Sequence, residues 1–160
     1  MTIDHDLGPA ARQVSRLAVG VRGDHWGLPT PCAQWSVADL LRHLLELTSA
    51  FTAAARKTPF PGDASGRPAQ LPPDWRSRLD DRLDVLVTAW RRPEAWDGEA
   101  EAGGVTLPAD VMGVVALDEL VLHGWDLARA TGQPFEADLR GAGVHGVRGG
   151  QVRAGGEGRS

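Results

Sequence analysis

The chain has 160 residues, 42% of them hydrophobic and 24% charged, with a formal net charge of −4. Those values fit one globular domain with a real core, and the mildly acidic balance leaves no electrostatic footprint for nucleic acid or anionic lipid. Cys32 is the single cysteine, so an internal disulfide framework is excluded and a reducing, cytoplasmic setting is expected. The first residues carry neither a basic run nor an apolar core, so no secretory signal is expected. No apolar run approaches the length that crosses a bilayer.

The spacing predicts a first helix over Leu7 to about Val21, with Leu7, Ala11, Val14, Leu17 and Ala18 inward and Arg12 and Arg16 outward. Gly20 and Gly23 end it. A rigid connector with Pro29 and Pro31 follows. Ser36 then reads as an N-cap with Asp39 as its capping-box acid, and Trp35 and Leu40 match a hydrophobic staple. Val37, Leu40, Leu41, Leu44, Leu45, Thr48 and Phe51 form the buried stripe of this second helix, with His43 at its edge. Thr58 to Pro73 reads as a loop, and a third helix is expected from Asp74 to about Arg91. Between Glu94 and Leu107 the glycines Gly98, Gly103 and Gly104 predict a loop or small hairpin. The fourth helix runs from Pro108 to about Ala130 and stops at Thr131-Gly132-Gln133-Pro134.

Four helices without a convincing strand pattern predict an all-α four-helix bundle over residues 1–140. The long connections leave an up-down-down-up order open. Residues 141–160 form a Gly-rich tail expected to be poorly ordered, of a kind that truncation or an altered reading frame would leave.

The fourth helix is apolar nearly all round, from Val111 through Val114, Val115, Leu120, Val121, Leu122 and Trp125 to Leu127, which predicts burial without a wide solvent face. It nevertheless carries Glu119 and His123, four apart on one face. Ionisable groups are costly in a core unless paired or metal-bound. With His43 they would make two imidazoles and one carboxylate, a donor set suited to Zn²⁺, with Ni²⁺, Fe²⁺ and Mn²⁺ also admitted, and with a coordination position left open. The plainer reading is a helical hydrogen-bonded pair of Glu119 and His123, with His43 at a core edge. Spacing alone leaves both open. Asp126 is read as the partner of an arginine, such as Arg129, in preference to an acceptor that orients a ligand histidine. His25 is expected to be structural or exposed, and Cys32 a small residue near a helix start rather than a nucleophile.

Two blocks also carry a family resemblance. Thr30-Pro31-Cys32-Ala33-Gln34-Trp35-Ser36-Val37-Ala38-Asp39-Leu40-Leu41-Arg42-His43-Leu44 resembles the signature TPCxxWxVxDLxxHL of the mycothiol-dependent maleylpyruvate isomerase N-terminal-like proteins, within the DinB/YfiT-like superfamily. The segment Asp118 to Gly132 is similar to that family's second block, ELxxHxWDLAxATG. The resemblance implies a DinB-like four-helix bundle in which His43, Glu119 and His123 bind a divalent metal, Zn²⁺ foremost. It also implies a low-molecular-weight thiol such as mycothiol as cosubstrate, activated by the metal, and an electrophilic second substrate. The expected function is a thiol-dependent transferase or isomerase-like detoxification enzyme. In maleylpyruvate isomerase a further C-terminal domain contributes to the active site, and the resemblance here does not reach one. The alternative is a non-catalytic, metal-stabilised binding or stress-response module, with a homodimer through exposed helix faces as a further expectation.

Overall fold

A computed structural model describes residues 5–60 and 70–136. The expected tail at 141–160 lies outside the described residues, as do residues 61–69 of the predicted loop. Four helices make up most of the described chain: α1 (Gly8–Val19), α2 (Val37–Arg56), α3 (Trp75–Trp90) and α4 (Ala109–Thr131). Two short 3₁₀ turns, Gly23–His25 and Pro93–Trp96, lie in the connections.

The all-α expectation needs one correction. Strands β1 (Glu99–Ala102) and β2 (Val105–Pro108) pair antiparallel just before α4. Their two-residue turn is Gly103-Gly104, both with positive φ (59° and 76°), the backbone that a tight hairpin turn matching the strand twist requires. The fold is therefore mostly helical with a small two-stranded sheet.

Local chemistry explains the start of α2. Ser36 Oγ accepts from the Asp39 amide at 3.2 Å, and Asp39 Oδ2 accepts from the Ser36 amide at 3.0 Å, so two otherwise orphaned donors are satisfied. Upstream, the Pro29–Ser36 bridge and the Val37 N to Leu28 O bond fold the connector back on itself. Gln34 takes a left-handed backbone (φ 70°) within it. That turn sends the Trp35 side chain towards the helices.

α2 is the central element. It buries 13 of its 20 residues, and a fully buried leucine contributes roughly 1.5–3 kcal/mol; Leu40, Leu41 and Leu44 are all completely buried. α2 packs on α3 and α4, and α1 packs on α3 and α4. The order around the bundle is thus α1–α3–α2–α4, with α1 and α2 on a diagonal.

The bundle is tied at several points. Arg76 donates to the carbonyls of Ala18 and Val21 at the end of α1, and Gln133 donates to Leu17 O at 3.0 Å. Trp90 Nε1 donates to Phe51 O at 3.0 Å. Lys57 ends α2 and donates to the carbonyls of Ala95 and Asp97. Gly113 lets α4 approach the rings of Trp96 and Trp90, which occupy the space a Cβ would need.

A second expectation is overturned on α4. It does have a solvent face: Val111, Leu122 and Trp125 are 45%, 54% and 41% exposed. Leu117, Leu120 and Leu127, on the other side, are buried. Periodicity could not separate the two sides because both are apolar.

Candidate metal centre

His43 reaches the site from the middle of α2, and Glu119 and His123 from successive turns of α4. The three side chains each offer a ligand atom, and those atoms lie within 4.8 Å of one another. Glu119 Oε2 and His123 Nε2 are 2.8 Å apart, so the helical pairing expected as the plainer reading is present. His43 joins them rather than standing apart at a core edge: its ring meets His123 edge-to-face with centroids 4.7 Å apart.

Trp35 completes the pocket. Its ring lies 4.7 Å from that of His43 and stacks nearly parallel to His123 at 6.2 Å. In the sequence Trp35 reads as a staple residue and as part of the first family block, with no contact to His123 implied. Its packing over both histidines is a contact between elements, which local spacing does not reveal.

Asp126 is also placed differently from expectation. Its carboxylate is buried, and Oδ2 lies 3.3 Å from His123 Nδ1. Arg129, its expected partner, instead sits 5.8 Å from the Trp125 ring centroid. As placed, the two form no hydrogen bond, and Nδ1 has no other partner among the described residues. A small ring rotation would complete the bond.

The electrostatics follow from burial and these neighbours. Desolvation and the nearby His123 hold the His43 pKa below its usual value, with Glu119 opposing them. Burial pushes His123 down as well, but the hydrogen bond and charge of Glu119 with the charge of Asp126 outweigh it, and its pKa is raised. Glu119 is held below the usual carboxylate range by the His123 hydrogen bond, against desolvation. With ring centroids 4.7 Å apart, two imidazolium charges would repel by roughly 3.5 kcal/mol at an effective dielectric of about 20. Two charges on the histidine pair are therefore disfavoured, and His123 is the more basic of the two.

This arrangement fits a divalent cation. His43 is kept neutral with a free lone pair, Glu119 is kept ionised, and Asp126 can hold the remote nitrogen of His123 so that Nε2 faces the other ligands. A tetrahedral ion with bonds of about 2.0–2.1 Å places its donors about 3.4 Å apart, between the 2.8 Å of the Glu119–His123 pair and the 4.8 Å span of the cluster, so shifts of about an ångström or less per side chain would form the site. Among the described residues this is the one group of three or more His, Cys, Asp or Glu side chains with metal-ligand spacing.

The remaining candidates have other roles. His25 is buried and its Nδ1 accepts from the Arg22 amide at 3.0 Å. Cys32 is half-buried and lies outside the cluster, and its carbonyl accepts from Thr30 Oγ1 and the Trp35 amide. His5 stacks on Trp96 at 5.9 Å. His145 lies outside the described residues.

Residues 7–128 match the mycothiol maleylpyruvate isomerase N-terminal domain family. The chain belongs to that family. Its relatives include the uncharacterized protein Rv0738 of Mycobacterium tuberculosis, at 29% identity over 76% of this chain and 63% of that protein. A second is the uncharacterized protein Rv0036c of the same organism, at 31% identity over 89% of this chain and 62% of that protein. The crystal structure of the mycothiol-dependent maleylpyruvate isomerase superposes with a TM-score of 0.58 at 20% identity, over 79% of this chain and 61% of the isomerase. A mutant of that isomerase gives a TM-score of 0.57 at 19% identity. At such identities the structural likeness establishes the fold. The chain spans about three fifths of the length of these relatives.

Proposed function

We propose that this member of the mycothiol maleylpyruvate isomerase N-terminal domain family is a divalent-metal module that uses a low-molecular-weight thiol, with mycothiol the first candidate. His43, Glu119 and His123 would hold the ion, and Zn²⁺ suits two imidazoles and a carboxylate best. The observation that carries this reading is the convergence of those three side chains between α2 and α4, and the lowered pKa values of His43 and Glu119 suit them to ligation.

The residues divide the work. Asp126, 3.3 Å from Nδ1 of His123, would orient that ring once a small rotation completes the bond, which leaves Nε2 for ligation. Trp35 walls the pocket on the histidine side and limits water there. The Glu119 side chain is 35% exposed, so the pocket opens to solvent beside it and an incoming thiol has a path. When bound, the ion supplies Lewis-acid charge that lowers the pKa of a thiol brought to its open position. The reaction class that uses such a sulfur is thiol transfer to, or thiol-assisted isomerisation of, an electrophilic substrate.

A second reading is a metal-stabilised binding module without catalysis, which the same three-residue cluster would also support. Titration of the Co²⁺-substituted protein with mycothiol separates the two. A thiol that enters the metal's coordination sphere changes the Co²⁺ absorption spectrum, whereas an unchanged spectrum at saturating mycothiol contradicts thiol use and favours the binding module.

A further inference from the structure

The solvent face of α4 is apolar where it need not be. Asp118, Leu122, Trp125 and Arg129 form one stripe on it, all four exposed. Their spacing of four, three and four residues reads the same in both directions. It keeps them on one side of a helix with 3.6 residues per turn. The order along the stripe is acid, apolar, apolar, base.

We propose that this stripe pairs antiparallel with the same stripe of a second copy of the chain, about a two-fold axis passing between His123 and Gly124. In that register Leu122 meets the partner's Trp125, and Asp118 meets the partner's Arg129. Symmetry repeats both contacts on the other side of the axis. One helix face thus supplies a self-complementary surface with two apolar contacts inside two charge pairs.

Other arrangements fit less well. A parallel pairing in register sets Asp118 against the partner's Asp118 and Arg129 against the partner's Arg129. An antiparallel register centred on Trp125 leaves Asp118 opposite the partner's Gly132. One centred on Leu122 sets Trp125 against the partner's Glu119. Only the register centred between His123 and Gly124 matches apolar to apolar and acid to base at once.

The described end of the chain does not cover the stripe. After α4, Gln133 bonds to Leu17 O, and Phe135 lies beside Gly124, whose other neighbours are Val14 and Leu17. The chain therefore leaves along the side of α4 that faces α1. Within its own subunit Arg129 lies near the Trp125 ring, and Asp118 feels the charges of Glu119 and His5. Both side chains are exposed and can swing to a partner. A single helix stripe is small beside the roughly 800 Å² per partner of a stable interface, so the association is weak and concentration-dependent.

Sedimentation velocity of the full chain, from micromolar to about millimolar concentration, tests this. The wild-type chain should move reversibly from monomer to dimer. Trp125→Glu should weaken association on the order of 30-fold, while Val85→Glu, at an exposed apolar position on α3, should leave it unchanged. Asp118→Arg and Arg129→Asp should each weaken self-association about tenfold. Mixed together, those two variants should associate at least as well as wild type, because each mixed pair then opposes acid to base at both ends. A wild-type chain that stays monomeric throughout overturns the proposal, as does a dimer insensitive to Trp125→Glu. A mixture that associates no better than its components overturns the register.

Discussion

Two concave regions between helices can be compared directly. The groove between α1 and α3 has a volume of about 710 Å³ and is lined in part by Arg12, Arg16, Asp80, Asp84 and Arg91. The pocket between α2 and α4 holds His43, Glu119, His123 and Asp126. In the first, the charged side chains are exposed, their signs mix, and local contacts absorb them: Ser15 donates to Asp80, and Arg91 pairs with Asp6 at 3.2 Å. In the second, the polar groups are buried or half-buried, they converge, and their protonation states are pushed apart. Exposed ion pairs contribute little and are screened by water and salt, so the groove gives a solvated seam. Burial makes the second pocket a place where converging donors can be balanced by a cation. Convergence of half-buried donors is what marks the site.

Four substitutions sharpen that contrast, from the largest expected effect to the smallest. His43→Ala removes one of three ligands, and zinc affinity measured by competition with a chromophoric chelator should fall by more than the 10–100-fold typical of losing a ligand's outer partner. Asp126→Asn keeps all three ligands but removes the charge behind His123, and should lower affinity by about 10–100-fold. In metal-free protein the same change should move the His123 pKa downward in an NMR titration, because Asp126 is one of the groups that raise it. An affinity within twofold of wild type would show that Asp126 only fills space.

Ser36→Ala acts on the element that carries His43 rather than on the pocket. Loss of the cap should cost about 1 kcal/mol in urea unfolding at neutral pH. Asp39 is held below its usual value of 3.8 by hydrogen bonds from the Ser36 amide and hydroxyl, then by Arg42. A carboxylate with a depressed folded-state pKa stabilises above its unfolded pKa and loses that contribution as pH falls through the folded value. The stability gap between wild type and the variant should therefore narrow as pH drops below 3.8, and a gap that widens there would rule out this origin. Arg16→Ala in the open groove should change stability by no more than about 0.5 kcal/mol and leave zinc binding untouched.

The start of α2 was readable because capping chemistry is local: Ser36 and Asp39 need only each other. The triad was readable as residue types at suggestive spacing, and family resemblance weighted it over the plainer pair. Asp126 was misassigned for a geometric reason. It stands three residues after His123 and three before Arg129, so a helical wheel treats both partners alike. Only burial decides between them. From sequence the segment before α4 reads as either loop or hairpin, because each strand is four residues long and β1 is made of Glu and Ala, which are poor strand formers. The Gly103-Gly104 pair was the signal that could have settled it. The two sides of α4 could not be told apart, since Leu122 and Trp125 are as apolar as Leu120 and Leu127.

The proposed function requires that the α2/α4 pocket hold a cation. Elemental analysis of freshly purified full chain, after equilibration with one equivalent of Zn²⁺ and gel filtration, measures this directly. Close to one zinc per chain should remain on wild type, and little on His43→Ala at equal helical content. Wild-type protein that emerges without metal, or retains as much as His43→Ala does, would contradict it.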